Sequence, residues 1–218
     1  MRTMTPRSTD FPLLIAGLGN PGADYARNRH NAGFMAADVI HDRHRFSPWR
    51  ARFQGLFAEA TLAGRKAYLL KPMTFMNDSG ISVAAAARFY KLPPGAVVVI
   101  HDELDLAAGK LKVKTGGGDA GHNGLRSITA ALGPDYRRVR VGVGHPGEKQ
   151  RVHGHVLSNF TQADEDWLVA MLDGIAEAAP LLAKDDDAGF MNKVAVIMKP
   201  PEKKPKPVND NTEKKDDK

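Results

Sequence analysis

Four short segments carry most of the side chains that could do chemistry. They are Gly17-Leu18-Gly19-Asn20-Pro21-Gly22 with Arg29-His30-Asn31, Phe75-Met76-Asn77, His101-Asp102-Glu103-Leu104-Asp105, and Gly116-Gly117-Gly118 followed by His122-Asn123-Gly124. They combine amides, imidazoles and carboxylates with glycine-rich turns. Loops expose such groups while the elements between them give rigid support. The chain has no cysteine, which excludes a thiol nucleophile, a thiolate metal site and a disulfide framework. The chemistry left to these residues is a polar site that activates water.

Other chemistries fit less well. Gly17-x-Gly19-x-x-Gly22 matches the dinucleotide-binding pattern, but that pattern needs a helix opening at its third glycine. Residues 23–30 lack apolar periodicity, and Asp42 falls inside an expected helix. There is no G-x-S-x-G elbow, and Ser79 and Ser127 sit in helical stretches. His153-Gly154-His155 could put two imidazoles on one strand face but lacks a third ligand at zinc spacing. No metal or cofactor is expected.

His41, His44 and His145 read as surface or local packing. His101 and Asp102 adjoin at the end of an expected strand, where neighbours point to opposite faces, so one of them enters a given cleft. The carboxyl ends of strands are where open α/β sheets build sites. Asp102 and Asp105 are therefore the candidates, and His101 is structural. His30, on a loop, needs an orienting carboxylate, and Asp102 is the best available. Asn123 opens a helix after a glycine-rich turn, a natural place for an anion. Lys112, Lys114, Arg126, Arg137, Arg138 and Arg140 surround it and suit phosphate contacts.

The elements that must position these groups follow from patterning. Pro12 to Ala16 reads as a buried strand, and Phe34 to Arg45 has helical spacing. Leu56 to Leu62 and Ala67 to Leu70 form a hairpin about Gly64-Arg65. Ser79 to Tyr90 is a helix stopped by Pro93-Pro94. Val97 to Ile100 is a central strand, Lys110 to Lys114 a strand with one wet face, and Val139 to Val143 another strand. Asn123 to Leu132, Ala163 to Ala183 and Gly189 to Met198 are helices. Alternating strands and helices predict an α/β fold: one domain, a mixed, mostly parallel twisted sheet, and helices on both faces.

The 218 residues, 42% apolar and 26% charged, suit one globular domain with a full core. The expected division is a disordered extension over 1–11, a catalytic domain over 12–198 and a disordered charged tail over 199–218, where little but Val208 is apolar. No apolar run spans a membrane, and the first ten residues lack the apolar core of a secretory signal. The net charge of +6 suits a polyanionic partner, nucleic acid above all.

These segments also carry a family resemblance. The chain resembles bacterial peptidyl-tRNA hydrolase through Gly17-Leu18-Gly19-Asn20-Pro21-Gly22-x-x-Tyr25, Arg29-His30-Asn31-Ala32-Gly33, Lys71-Pro72-x-Thr74-Phe75-Met76-Asn77-x-Ser79-Gly80, His101 to Asp105, Gly116 to Leu125 and Arg140 to Gly147, in the family's order over roughly residues 12–198. The resemblance implies hydrolysis of the ester joining a peptide to tRNA, without cofactor, by a cytoplasmic monomer. It implies His30 as catalytic histidine with Asp102 beside it and Asn20 and Asn77 assisting. Tyr25, Met76, Asn77, His122 and Asn123 would bind substrate, and Lys114 and Arg140 would clamp the tRNA 5′-phosphate. Asp119-Ala120 departs from the family's small or histidine-like residues, and an acid there is expected to weaken tRNA binding slightly. A non-catalytic RNA-binding relative and a dinucleotide enzyme are the alternatives.

Overall fold

The computed structural model describes residues 7–199. In chain order the elements are β1 (Leu13–Gly17), α1 (Ala32–Arg43), β2 (Arg50–Arg52), β3 (Gly55–Leu62), β4 (Arg65–Pro72), α2 (Ser79–Phe89), β5 (Val97–Glu103), β6 (Leu111–Thr115), α3 (Asn123–Leu132), β7 (Arg137–Gly142), α4 (Val152–Val156), α5 (Gln162–Ala183) and α6 (Asp187–Ile197). One seven-stranded sheet runs in the order β2-β3-β4-β1-β5-β7-β6. Its four central strands are parallel, and β2, β3 and β6 pair antiparallel at the flanks. The fold is the expected α/β domain with a mixed sheet.

Both faces of the central strands are covered, which is why β1 and β5 read as unbroken apolar runs rather than alternating ones. Leu13, Ile15, Val98, Ile100, Val139 and Val141 pack against residues of α1, α5 and α6 such as Ile40, Ile175 and Phe190. Leu14, Ala16, Val97 and Val99 pack on the opposite face against Val83, Leu125 and Ile128 of α2 and α3. The Gly17 motif owes its first glycine to this packing. A Cβ there would stand 2.1 Å from the Gly33 carbonyl oxygen, so β1 passes α1 backbone to backbone. Past Gly22 come only short 3-10 turns, Ala23–Tyr25 and Arg29–Asn31, and α1 starts at Ala32. No helix N-terminus meets the third glycine, so the dinucleotide reading fails on geometry.

Three features differ from expectation. The hairpin of β3 and β4 turns through Ala63 and Gly64, both at positive φ, as a two-residue turn requires. A second such turn, Phe53-Gln54 at φ of 55° and 52°, adds the unanticipated edge strand β2 with no glycine at either turn position. His153 to His155 lies in α4, not on a strand, so these imidazoles do not share a face. Of the extension expected over 1–11, the turn Ser8–Asp10 is tied down: Arg65 donates to the Ser8 and Phe11 carbonyls, and Ser8 Oγ bonds Asp185. Residues 1–6 and the tail expected beyond 199 lie outside the described residues.

Candidate active site

The C-terminal end of β5 delivers His101, Asp102 and Glu103, all buried. Strand alternation sends Asp102 to the α1 side and its two neighbours to the α3 side. Asp102 Oδ1 is the meeting point of two rings: His30 Nδ1 at 2.8 Å and His122 Nε2 at 3.1 Å. His30 sits in the Arg29–Asn31 turn. That turn is held by the Asn31 N–H on the Asn28 carbonyl and by reciprocal bonds between Asn20 and Asn31, at 2.9 and 3.0 Å.

The hydrogen bonds settle both tautomers. His122 Nδ1 accepts from the Gly124 and Leu125 N–H groups, at 3.1 and 3.3 Å, as the N-cap of α3. Its proton therefore sits on Nε2 and points at Asp102. Asp102 only accepts, so His30 Nδ1 donates to it and Nε2 is left with a free lone pair. Burial pushes the Asp102 carboxyl up, but the two imidazoles outweigh it and hold the group well below the usual carboxylate range. His30, Asp102 and His122 also bring three ligand-type atoms within 4.8 Å. His122 offers a proton there, not a lone pair, and this donor set does not suit a cation.

Asp102, His30 and His122 line a cavity of about 580 Å³, together with Asn20, Met76, Asn77 and Asn123. Asn20 Oδ1 accepts from the Met76 N–H at 2.8 Å, and Asn123 Oδ1 accepts from Arg126 at 3.2 Å. Each amide thus spends its oxygen and keeps Nδ2 as a donor. Asn77 is exposed on the turn Met76–Asp78. Tyr25 is half-buried and stands outside the cavity wall.

His101 faces away. Its Nδ1 donates to the Asp102 carbonyl at 2.7 Å, and Nε2 has no partner among the described residues. Burial, with the His122 ring adding to it, pushes the His101 imidazole down to about 3. Unfolding lets this ring protonate near its ordinary value, so its contribution to stability is complete above about pH 6.5 and is lost as pH falls toward 3. Thermal unfolding between about pH 6 and pH 4, below the ordinary imidazole value and above the folded one, should show it: the wild type loses stability at a rate approaching about 1.4 kcal/mol per pH unit that His101→Leu does not. Parallel losses in the two proteins would sink this account.

The basic cluster needs correction. Arg137 and Arg138 are buried. Arg137 bonds Asp185 at 2.8 Å and the Leu182 carbonyl at 3.0 Å, while Arg138 holds the Gly117 and Gly118 carbonyls. They brace loops and are not free for phosphate. The α3 N-terminus is no open anion site either, because His122 already occupies its N–H groups. Asp119 turns inward, accepting from Thr129 Oγ1 at 2.7 Å with Arg138 at 3.7 Å, so it fastens the glycine-rich loop. Lys112, Lys114 and Arg126 are exposed, and Arg140 is partly so. Lys112 lies directly opposite Arg140 and Lys114 opposite Arg138, so the four share one sheet face.

A histidine–carboxylate pair at the end of a cavity has many precedents in hydrolysis, so kinship decides which kind this is. The family profile for peptidyl-tRNA hydrolases matches residues 14–205. The chain belongs to the peptidyl-tRNA hydrolase family. It is 61% identical over 196 residues to the peptidyl-tRNA hydrolase of Parvibaculum lavamentivorans, covering 89% of this chain and 96% of that one. With the peptidyl-tRNA hydrolase of Bradyrhizobium diazoefficiens the identity is 62% over 185 residues, covering 85% and 92%. The crystal structure of peptidyl-tRNA hydrolase from Acinetobacter baumannii superposes with a TM-score of 0.81 at 39% identity, over 87% of this chain and 96% of that chain.

For a member of the peptidyl-tRNA hydrolase family, one wall of the cavity is what the sequence reading missed. Leu104, His145, Lys149, Val152, His153 and Val156 line the cavity from the turn after β5, from the segment between β7 and α4, and from α4. His145 and His153 are exposed, as a surface reading has it, and also line the cavity. The one available signal was their nearness to Pro146-Gly147, which marks a loop but not its destination.

Proposed function

We propose that the chain hydrolyses the ester between peptide and ribose in peptidyl-tRNA, freeing the tRNA in the cytoplasm, with residues 12–198 as the catalytic unit. The observation that carries the mechanism is the 2.8 Å bond between His30 Nδ1 and Asp102 Oδ1, with His30 Nε2 left to the cavity. His30 Nε2 takes a proton from water as the water oxygen attacks the ester carbonyl. Asp102 stabilises the imidazolium that forms. Asn20, Asn77 and Asn123 line the same cavity, and their Nδ2 groups are the donors for the developing oxyanion or the peptide backbone; one such donor is worth about 3–4 kcal/mol. Collapse of the tetrahedral intermediate expels the ribose oxygen, which recovers the proton from His30.

The test is turnover of N-acyl-aminoacyl-tRNA by the unmodified protein, which also separates this reading from a non-catalytic RNA binder. Among the described residues no helix is long and apolar enough to cross a membrane. Lys114 and Arg140 supply sequence-independent binding to the tRNA 5′-phosphate. Combining Lys114→Ala with Arg140→Ala should raise KM about tenfold or more and reduce the slope of log KM against log salt by roughly 1–2, as expected for lost phosphate contacts. An unchanged salt slope would remove these residues from the tRNA path.

A further inference from the structure

We propose that Glu103 is a positioning residue that makes phosphate binding at Arg140 felt at the catalytic cavity. The proposal rests on the hydrolase reading and on Arg140 as a 5′-phosphate contact. Glu103 is 5% exposed and follows Asp102 directly on β5. Both of its carboxylate oxygens are used. Oε2 accepts from Arg140 Nε at 2.8 Å, and Oε1 accepts from the Asp105 N–H at 3.1 Å. Its carbonyl accepts from the Val143 N–H at 3.1 Å. One side chain thus joins the guanidinium on β7 to the turn Glu103–Asp105, and that turn walls the cavity.

The form of the bond matters. Holding Arg140 at Nε leaves its two terminal nitrogens without a partner among the described residues. Those nitrogens form the fork that takes phosphate in two parallel bonds. Glu103 therefore orients the fork as well as neutralising it. A phosphate that draws the guanidinium outward pulls on Oε2, and the carboxylate is rigidly shared with the Asp105 backbone. The strain arrives one residue from Asp102, whose oxygen holds the His30 ring. A rim lysine would give affinity alone, because it has no such linkage.

The expected consequence is that the 5′-phosphate contributes to kcat and not only to KM. The experiment compares one N-acetyl-aminoacyl-tRNA with and without its 5′-phosphate on wild type, Glu103→Gln and Arg140→Lys. Gln keeps the shape of Glu103 but offers one acceptor oxygen where two are needed. Lys keeps the charge of Arg140 but has no fork, and it serves as the second variant should the first fold poorly. The phosphate should raise kcat about tenfold in wild type, within the usual range for coupled sites. In both variants that gain should fall below about twofold, whatever happens to the rate without phosphate. A kcat gain retained in both variants overturns the coupling alone. Identical kcat and KM for the two substrates in wild type overturns the phosphate contact beneath it. No cleavage of either substrate by wild type overturns the hydrolase reading itself.

Discussion

His30→Ala lowers the single-turnover rate of peptidyl-tRNA cleavage by about 10²–10⁴-fold, the range a positioned general base contributes. Asp102 holds Nδ1 and leaves Nε2 to the cavity, while the other ring bonded to Asp102, His122, carries its proton on Nε2 and caps α3 with Nδ1, so it has no free lone pair. His101 turns away behind the strand. KM should move little, because the groups proposed to bind substrate on Asn20, Asn123, Lys114 and Arg140 remain. Folding should survive as well. The Arg29–Asn31 turn is held by its backbone and by the Asn20–Asn31 bonds, not by the imidazole. The assay is release of tRNA from N-acetyl-aminoacyl-tRNA, with thermal unfolding as the control. A rate within threefold of wild type in a folded variant would take the base role from His30.

How far these contacts could be read in advance depends on how local their causes are. The β-branched run Val97 to Ile100 announces a central strand because burial on both faces leaves it no polar position. The glycine-rich turns announce a site because they cluster at strand ends. Arg137 and Arg138 misled because charge reads as surface. What buries them is Asp185, some fifty residues away in sequence, and the loop carbonyls of Gly117 and Gly118, and partners of that kind leave no periodic trace. The Phe53-Gln54 turn escaped because its left-handed backbone is paid for by strand pairing rather than by glycine. Asn123 did open α3, as its place after a glycine-rich turn suggested. The cap, though, is an imidazole, whose acceptor role emerges only once Asp102 dictates the tautomer. The wall of His145, Lys149 and His153 was beyond reach, since it depends on where the segment after β7 crosses the sheet end.

Asp102→Asn is the second large effect, and its shape separates two roles of the carboxylate. Both rings donate to the same oxygen, Oδ1. An asparagine can therefore present its own Oδ1 to His30 and His122 and preserve both tautomers. What it cannot supply is the negative charge. In the wild type that charge is present throughout the working range, because the imidazoles hold the carboxyl well below ordinary carboxylate values against the opposing effect of burial. On the proposed mechanism its partner is the imidazolium that exists only while His30 holds the water proton, so the loss should fall on the transition state and appear in kcat, not KM. A fall of about 10²–10³-fold is expected, near the effect of other electrostatic contributions in buried sites. Asp102→Ala should fall further, because it also abandons two buried N–H donors. Equal losses in the two variants would mean that the carboxylate acts by its charge alone and that its acceptor geometry adds nothing. An asparagine variant with full activity would mean that charge on Asp102 plays no part in the chemistry.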